Sequence, residues 1–340
     1  MNLGILFGGK SYEHEISIVS AITLKDVFKN NLYFVFCDKD KEFYLIENHN
    51  MKASYFSSFE YKKSKKLTIK NGGFFIQGMF SKKIPVDVYI NLIHGNDGED
   101  GKIASLFEFF DIKFIGAKIE ASVLSYSKIL TKYLAKMVGV KTLDYQVLKR
   151  GDEINLNFPV ILKPAELGSS IGISVVKEQS KLAYSLDNSF EYSKNLLVEP
   201  FIDGVKEYNL AGFRLKDEIK FSFIEEPNKK EILDFEQKYL NFSGNSKIKK
   251  ADITQELEQK IQEEFKKIYN FGFDGAIIRC DFFVIDNEVY LNEINANPGS
   301  LAYYLFDDFE NLVYELAKNL PNTNNIKINY DYLHLISSNK

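Results

Sequence analysis

Arg279-Cys280-Asp281 and Glu293-Ile294-Asn295 stand in two neighbouring strand-like stretches near the end of the chain. Side chains alternate along a strand, so Arg279 and Asp281 share one face with Cys280 on the other, and Glu293 and Asn295 share a face opposite to Ile294. Paired as a hairpin, the two stretches can bring three oxygen donors and a guanidinium together. Asp, Glu and Asn are hard ligands suited to Mg²⁺, which takes part of its shell from water and nucleotide phosphates. The register decides the outcome. Asp281 faces Glu293 only across an odd loop, such as Asp286-Asn287-Glu288, or past a bulge, whereas a plain two-residue turn at Asp286-Asn287 sets the ligands on opposite faces. The bland alternative is an exposed hairpin with surface salt bridges. Ala276, Ile277, Ile278, Phe282, Phe283 and Val284 weigh against it, because unpaired charge among apolar residues is costly.

A second chemical run is Val160-Ile161-Leu162-Lys163-Pro164-Ala165-Glu166-Leu167-Gly168-Ser169-Ser170-Ile171-Gly172. A lysine closing a strand, then a Gly/Ser loop, offers an ammonium, hydroxyls and backbone N–H groups to phosphate oxygens; a plain surface hairpin is the competing reading. Lys128 opens a helix after Ser127, where the helix N-terminus also favours anions. A third run is His94-Gly95-Asn96-Asp97-Gly98-Glu99-Asp100-Gly101, whose glycines let the backbone approach a ligand at the carboxyl end of a parallel strand. It lacks the spacing of a calcium loop.

The elements that must position these residues are legible. Leu3 to Phe7 reads as a buried strand, followed by Gly8-Gly9 and a helix from about Glu15 to Phe28, the opening of an α/β sheet. Residues 32–37, 42–46 and 66–78 read as strands, the last divided at Asn71-Gly72-Gly73, and Val86 to Ile93 reads as a parallel strand. A helix from Ser127 to Val138 ends at Gly139. Another helix runs from about Thr254 to Tyr269, and strands occupy about 276–285 and 288–294. The expected fold class is α/β, with α+β character in the second and third of three lobes, divided at 1–116, 117–203 and 204–340; the first is an open, mostly parallel sheet.

With 340 residues the chain has room for two or three domains, and 45% hydrophobic residues against 26% charged ones exclude a disordered chain. A net charge of -4 provides no global positive field for nucleic acid or an anionic membrane, so a phosphate ligand must meet local cations. Two cysteines and no Cys/His cluster exclude a disulfide framework and a structural zinc, and fit a reducing cytoplasm. No apolar run is long enough to span a membrane. Gly4, Gly9, Lys10 and Ser11 match the expression for a P-loop, but its strand must precede the first glycine, and only Met1, Asn2 and Leu3 do.

Taken together, Gly8-Gly9-Lys10-Ser11-Tyr12-Glu13, the octet from His94 to Gly101, Lys163 with Gly168-Ser169-Ser170, Glu236-Gln237-Lys238-Tyr239, Arg279-x-Asp281 and Asn292-Glu293-Ile294-Asn295-x-x-Pro298-Gly299 closely resemble the D-alanine-D-alanine ligases of the ATP-grasp superfamily, over nearly the whole chain. The resemblance implies a three-lobed ATP-grasp fold with ATP between the second and third lobes. It implies ATP-dependent ligation of two D-alanines through an acyl phosphate for peptidoglycan synthesis. By motif, Lys128, Lys163 and Ser170 would meet the α and β phosphates, and Lys238 the γ-phosphate. Glu199, the carbonyl of Pro200 and the N–H of Ile202 would take adenine, and Glu207 the ribose. Asp281, Glu293 and Asn295 would hold two Mg²⁺ or Mn²⁺ ions. Glu13, tied through Ser169 and Tyr239, would hold the first substrate's ammonium, with His94 near its carboxylate. Arg279 and the N–H of Gly299 would stabilise the oxyanion, and Tyr304 and Leu305 would lie at the second substrate, Tyr304 standing where the family often has serine. A homodimer through the first lobe is also implied. Two rivals remain: a ligase with another carboxylate and amine, and a non-catalytic nucleotide-binding sensor.

Overall fold

A computed structural model of the chain describes residues 1–30, 32–227, 249–321 and 327–338. The strands are β1 Leu3–Gly8, β2 Tyr33–Cys37, β3 Phe43–Ile46, β4 Lys65–Lys70, β5 Gly73–Ile76, β6 Lys82–Lys83, β7 Val88–Asn91, β8 Phe114–Ile115, β9 Gln146–Lys149, β10 Val160–Pro164, β11 Ser174–Val176, β12 Asn195–Pro200, β13 Lys206–Leu215, β14 Glu218–Phe221, β15 Ile278–Ile285 and β16 Glu288–Asn295. The helices that matter below are α1 His14–Val27, α2 Ala53–Ser57, α3 Lys102–Phe109, α4 Ile119–Tyr126, α5 Lys128–Val138, α6 Leu182–Phe190, α7 Gln255–Tyr269, α8 Phe309–Lys318 and α9 Asp331–Ser338.

Three sheets result. The first has the order β6-β5-β4-β3-β2-β1-β7-β8. Its strands β2, β1, β7 and β8 are parallel, as expected of a sheet opened by Leu3–Gly8. The expectation of a mostly parallel sheet fails beyond them, because β3 to β6 add on antiparallel, so the sheet is mixed. A parallel return needs a long crossover; β2–β3, β4–β5 and β5–β6 are joined by short loops, whereas β3 reaches β4 through residues 47–64, which include α2, and still pairs with it antiparallel. The second sheet is β11-β10-β12-β9 and the third β14-β13-β15-β16, both antiparallel.

The P-loop expression dissolves in the fold: Gly4 lies inside β1, where a Cβ would meet Val86 at 2.9 Å. The helix ends follow their sequence cues. Ser127 caps α5, its Oγ accepting the Leu130 N–H at 3.5 Å, and Gly139 ends that helix with φ 74°. Thr254 caps α7 in the same way, and Leu257, Ile261, Phe265 and Ile268 bury its inner face. Each such side chain contributes about 1.5–3 kcal/mol by leaving water. Helices α4 and α5 pack on β16, and their Ala121, Leu134 and Ala135 join the core that the first and third sheets share.

Candidate active site

The β15–β16 hairpin turns at Asp286-Asn287, with Ile285 opposite Glu288 and both turn residues at positive φ (50° and 64°). That is the two-residue turn that alone would separate the ligands. A bulge repairs it. Phe282 pairs with Leu291, yet Asp281 pairs with Glu293 and Arg279 with Asn295, so Asn292 is the extra residue. Arg279, Asp281, Glu293 and Asn295 therefore share one face, while Cys280 and Ile294 go to the core on the other.

On that face Arg279 grips Asp281 bidentately, Nε to Oδ1 at 2.7 Å and Nη2 to Oδ2 at 2.8 Å, and the Asn295 amide donates to Asp281 Oδ2 at 3.1 Å. Burial pushes the Asp281 carboxyl up to about 7, Arg279 opposing the rise and Glu293 and Glu207 adding to it. Asn209 of β13, directly opposite Asp281, is 6% exposed, and its Oδ1 has no hydrogen-bond partner. Its Nδ2 donates to Glu225 at 3.1 Å. An unsatisfied oxygen beside clustered carboxylates, among hard oxygen donors, fits a cation completed by phosphate oxygens. Among the described residues no cage of three or more His, Cys, Asp or Glu side chains exists, so the protein donors by themselves would be a partial shell.

The lysines converge from the second sheet and α5. Lys128 Nζ donates to the Leu167 carbonyl at 2.6 Å and lies 3.7 Å from Glu293 Oε2. Lys163 Nζ donates to Asn292 Oδ1 at 2.9 Å and pairs with Glu199 Oε2 at 2.6 Å. The bulge residue thus anchors the lysine that closes β10. Lys132, one turn after Lys128, takes Glu199 Oε1, and both side chains are 1% exposed. Burial opposes ionisation of Glu199, but Lys163 and Lys132 outweigh it and hold the carboxyl below its usual range. With both oxygens engaged, the Glu199 side chain serves the lysines. Ile202, just past β12, is 37% exposed and Glu207 lies on β13 opposite Phe283. Lys132 went unread in the sequence; its i, i+4 spacing from Lys128 on an amphipathic helix was the available signal.

Glu13, 5% exposed just before α1, receives the hydroxyl of Ser169 on Oε1. Two glycines make room for its carboxylate: a Cβ on Gly168 would stand 2.9 Å from Oε1, and one on Gly95 2.9 Å from Oε2. Burial and then Glu99 push the Glu13 carboxyl up, against Ser169, His94 and Lys128. Ser169 and Ser170 both take positive φ (55° and 61°), a sharp bend in the loop that sets the Ser169 hydroxyl on Glu13. His94, 3% exposed, has Nδ1 3.4 Å from Glu99 and Nε2 3.1 Å from Ser20 Oγ.

Residues Gly299–Leu305 form a short 3-10 segment in which Ser300, Leu301 and Ala302 all adopt left-handed φ (47°, 55° and 52°). Three non-glycine residues in that region cost about 1–2 kcal/mol each, offset here by burying all three. The turn brings the Tyr304 hydroxyl into a hydrogen bond with Arg279, and burial pushes that phenol up to about 12. Leu305 differs from expectation: its side chain is fully buried against Ala211 and Ala302, and its carbonyl accepts the Phe223 N–H at 3.2 Å. Lys238 and Tyr239 lie outside the described residues.

Comparison with known proteins gives a consistent picture. Residues 2–117 match the family described as D-ala D-ala ligase N-terminus, and residues 134–310 the D-ala D-ala ligase C-terminus. The chain is 61% identical over 341 residues to the D-alanine–D-alanine ligase of Campylobacter concisus, covering 100% of this chain and 99% of the relative. It is 56% identical over 348 residues to the Helicobacter pylori D-alanine–D-alanine ligase, covering 100% of both. The crystal structure of the Helicobacter pylori ligase superimposes with a TM-score of 0.86 at 53% identity, over 95% of this chain and 100% of that one.

Proposed function

The chain belongs to the D-alanine–D-alanine ligase family, and from that premise we infer that it joins two D-alanines into D-alanyl-D-alanine with ATP, for peptidoglycan precursors. The observation that carries the reading is the bulge at Asn292, which puts Glu293 and Asn295 on the face of Arg279 and Asp281. Lysines and hard oxygen donors then meet in one cleft, where a triphosphate and an amino-acid carboxylate can be neutralised together.

A carboxylate oxygen of the first D-alanine attacks the γ-phosphorus, the bond to the β–γ bridging oxygen breaks, and ADP leaves with its electron pair. The amine of the second D-alanine attacks the acyl carbon, and phosphate departs from the tetrahedral intermediate as the nitrogen loses its proton. Positioning and electrostatics supply most of the rate. Lys128, Lys163 and the Ser170 loop hold the α and β phosphates, and Lys238 reaches the γ-phosphate. Adenine takes the Pro200 carbonyl and the Ile202 N–H. Glu199, bound to Lys132 and Lys163, sets the lysine beside it. Glu207 takes the ribose. Glu13 holds the first ammonium, supported by Ser169 and Tyr239, with His94 at that substrate's carboxylate.

Arg279 and the Gly299 N–H face the oxyanion. Tyr304, hydrogen-bonded to Arg279, meets the second carboxylate with its phenol where the family often uses serine, and Leu305 contributes backbone. Asp281, Glu293 and Asn295 would hold two Mg²⁺ or Mn²⁺ ions, which would neutralise phosphate charge.

The functional lobes divide at 1–116, 117–203 and 204–340, ATP lying between the second and third. The chain works in the cytoplasm as a homodimer through its first lobe. No helix among the described residues is long and apolar enough to cross a membrane. The test is mass spectrometry of the products formed from ATP, Mg²⁺ and D-alanine, with L-alanine as control. D-Alanyl-D-alanine with stoichiometric phosphate is expected; phosphate release without dipeptide, or nucleotide binding without turnover, would refute the reading.

A further inference from the structure

Ser20 is 2% exposed and lies in the middle of α1, a helix packed against the turn at 299–305. Its Oγ accepts the backbone N–H of Ser300 at 3.1 Å and lies 3.1 Å from His94 Nε2. One of the serine oxygen's two lone pairs is thus used by a donor that cannot be reversed, and its own hydrogen still needs an acceptor. Among the described residues, the acceptor in reach is His94 Nε2. The imidazole proton then sits on Nδ1, which faces Glu99 Oε1 at 3.4 Å. The same loop is pinned a second time, since Ser11 Oγ donates to the His94 carbonyl at 2.7 Å and accepts the Glu13 N–H at 3.1 Å.

We propose that Ser20 is a positioning residue for both amino-acid subsites, one hydroxyl fixing the His94 tautomer on the first-substrate side and the left-handed Ser300–Ala302 turn on the second. This rests on the ligase reading for the identity of the two subsites, not for the hydrogen bonds. The turn needs such a tie. Three consecutive left-handed residues would relax once their first N–H lost its partner, carrying Tyr304 away from Arg279. His94, with both ring nitrogens engaged by protein groups, is held in one orientation.

The tautomer can be read directly. The chain has four histidines, so ring-¹⁵N-labelled protein gives few signals, assigned by replacing His14, His49 and His334 in turn. In the unaltered, substrate-free protein we expect His94 protonated on Nδ1 and unprotonated on Nε2; protonation on Nε2 overturns the proposal, and no variant has to fold for that result. In Ser20→Ala the Nδ1–H preference is lost, and KM for D-alanine rises about tenfold at each subsite, equivalent to about 1.4 kcal/mol, with kcat within threefold. Ser20→Thr, which keeps the hydroxyl, restores the tautomer and both KM values to within threefold.

A merely structural serine would lower the melting temperature in Ser20→Ala while leaving the tautomer and the KM values of the folded fraction unchanged, and that outcome overturns the proposal. Failure of the ligase reading has a separate signature, the absence of D-alanine-dependent phosphate release by the unaltered chain.

Discussion

Gly168→Ala separates the site's geometry from the fold's stability. Gly168 does not have a positive φ, so alanine suits its backbone, and losing glycine's freedom in the unfolded chain stabilises by about 0.4–1 kcal/mol. The new methyl, however, would stand 2.9 Å from Glu13 Oε1 and 3.2 Å from Oε2, where ordinary contact begins at 3.4 Å. The obstacle is the far end of a side chain, so folding can proceed if the Glu13 carboxylate recedes by about 0.5 Å. That carboxylate is the proposed seat of the first ammonium. A misplacement of about 1 Å costs about a hundredfold in rate, so half of that predicts roughly a tenfold loss in kcat/KM. The assay is steady-state phosphate release against D-alanine concentration, beside a thermal melt of the same sample. A melting temperature no lower than that of the unaltered chain, together with the tenfold loss, is expected. Unchanged kcat/KM in folded protein would refute the placement of Glu13, and activity lost only in step with unfolding would refute the separation of the two effects.

Other perturbations test other parts of the site. Lys132→Met removes the donor from a Glu199 carboxylate that is 1% exposed, which should cost about 1–3 kcal/mol of stability and raise KM for ATP as Lys163 is drawn to Glu199 alone; melts and ATP titration check both. Arg279→Ala should lower kcat about 10²–10³-fold, the loss seen on removing an oxyanion donor, with ATP binding by calorimetry little changed. Gly139→Ala forces a side chain to φ 74° in open space, so about 1–2 kcal/mol of stability should go while kcat and KM stay at wild-type values. Burial, then Asp38, raises the Cys37 thiol from 9.0 to about 12. A thiol whose folded pKa is raised contributes stability that is present below pH 9 and lost as pH climbs toward 12, so denaturant midpoints should fall across that window, and Cys37 should resist alkylation at pH 8 until the chain unfolds.

The sequence by itself determined which residue types the site contains and which strands and helices carry them. Lys163 closing an apolar run, Ser127 and Gly139 bounding a helix, and the Arg279-x-Asp281 and Glu293-x-Asn295 alternations are local signals, and local backbone preference is enough to read them. The sequence left the decisive question open, since the same residues give a cation site or a hairpin with its ligands on opposite faces. Only tertiary structure chose. The Asp286-Asn287 turn is the two-residue form that argues against convergence, and the bulge at Asn292 reverses it. Asn292 is also held by Lys163, 129 residues away in sequence.

The same limit hid Lys132 and Ser20, which look like a solvated lysine and a helix-lowering serine until Glu199, His94 and Ser300 are brought beside them. It hid the extension of the first sheet: β3, β4 and β5 read as strands, with a turn marking β4 and β5 as neighbours, but β6 went unread and nothing local pairs β2 with β3 or β3 with β4. Pairing partners across long separations are fixed by which buried polar groups must be satisfied and which apolar faces must be covered, and those demands exist only once the chain has closed on itself.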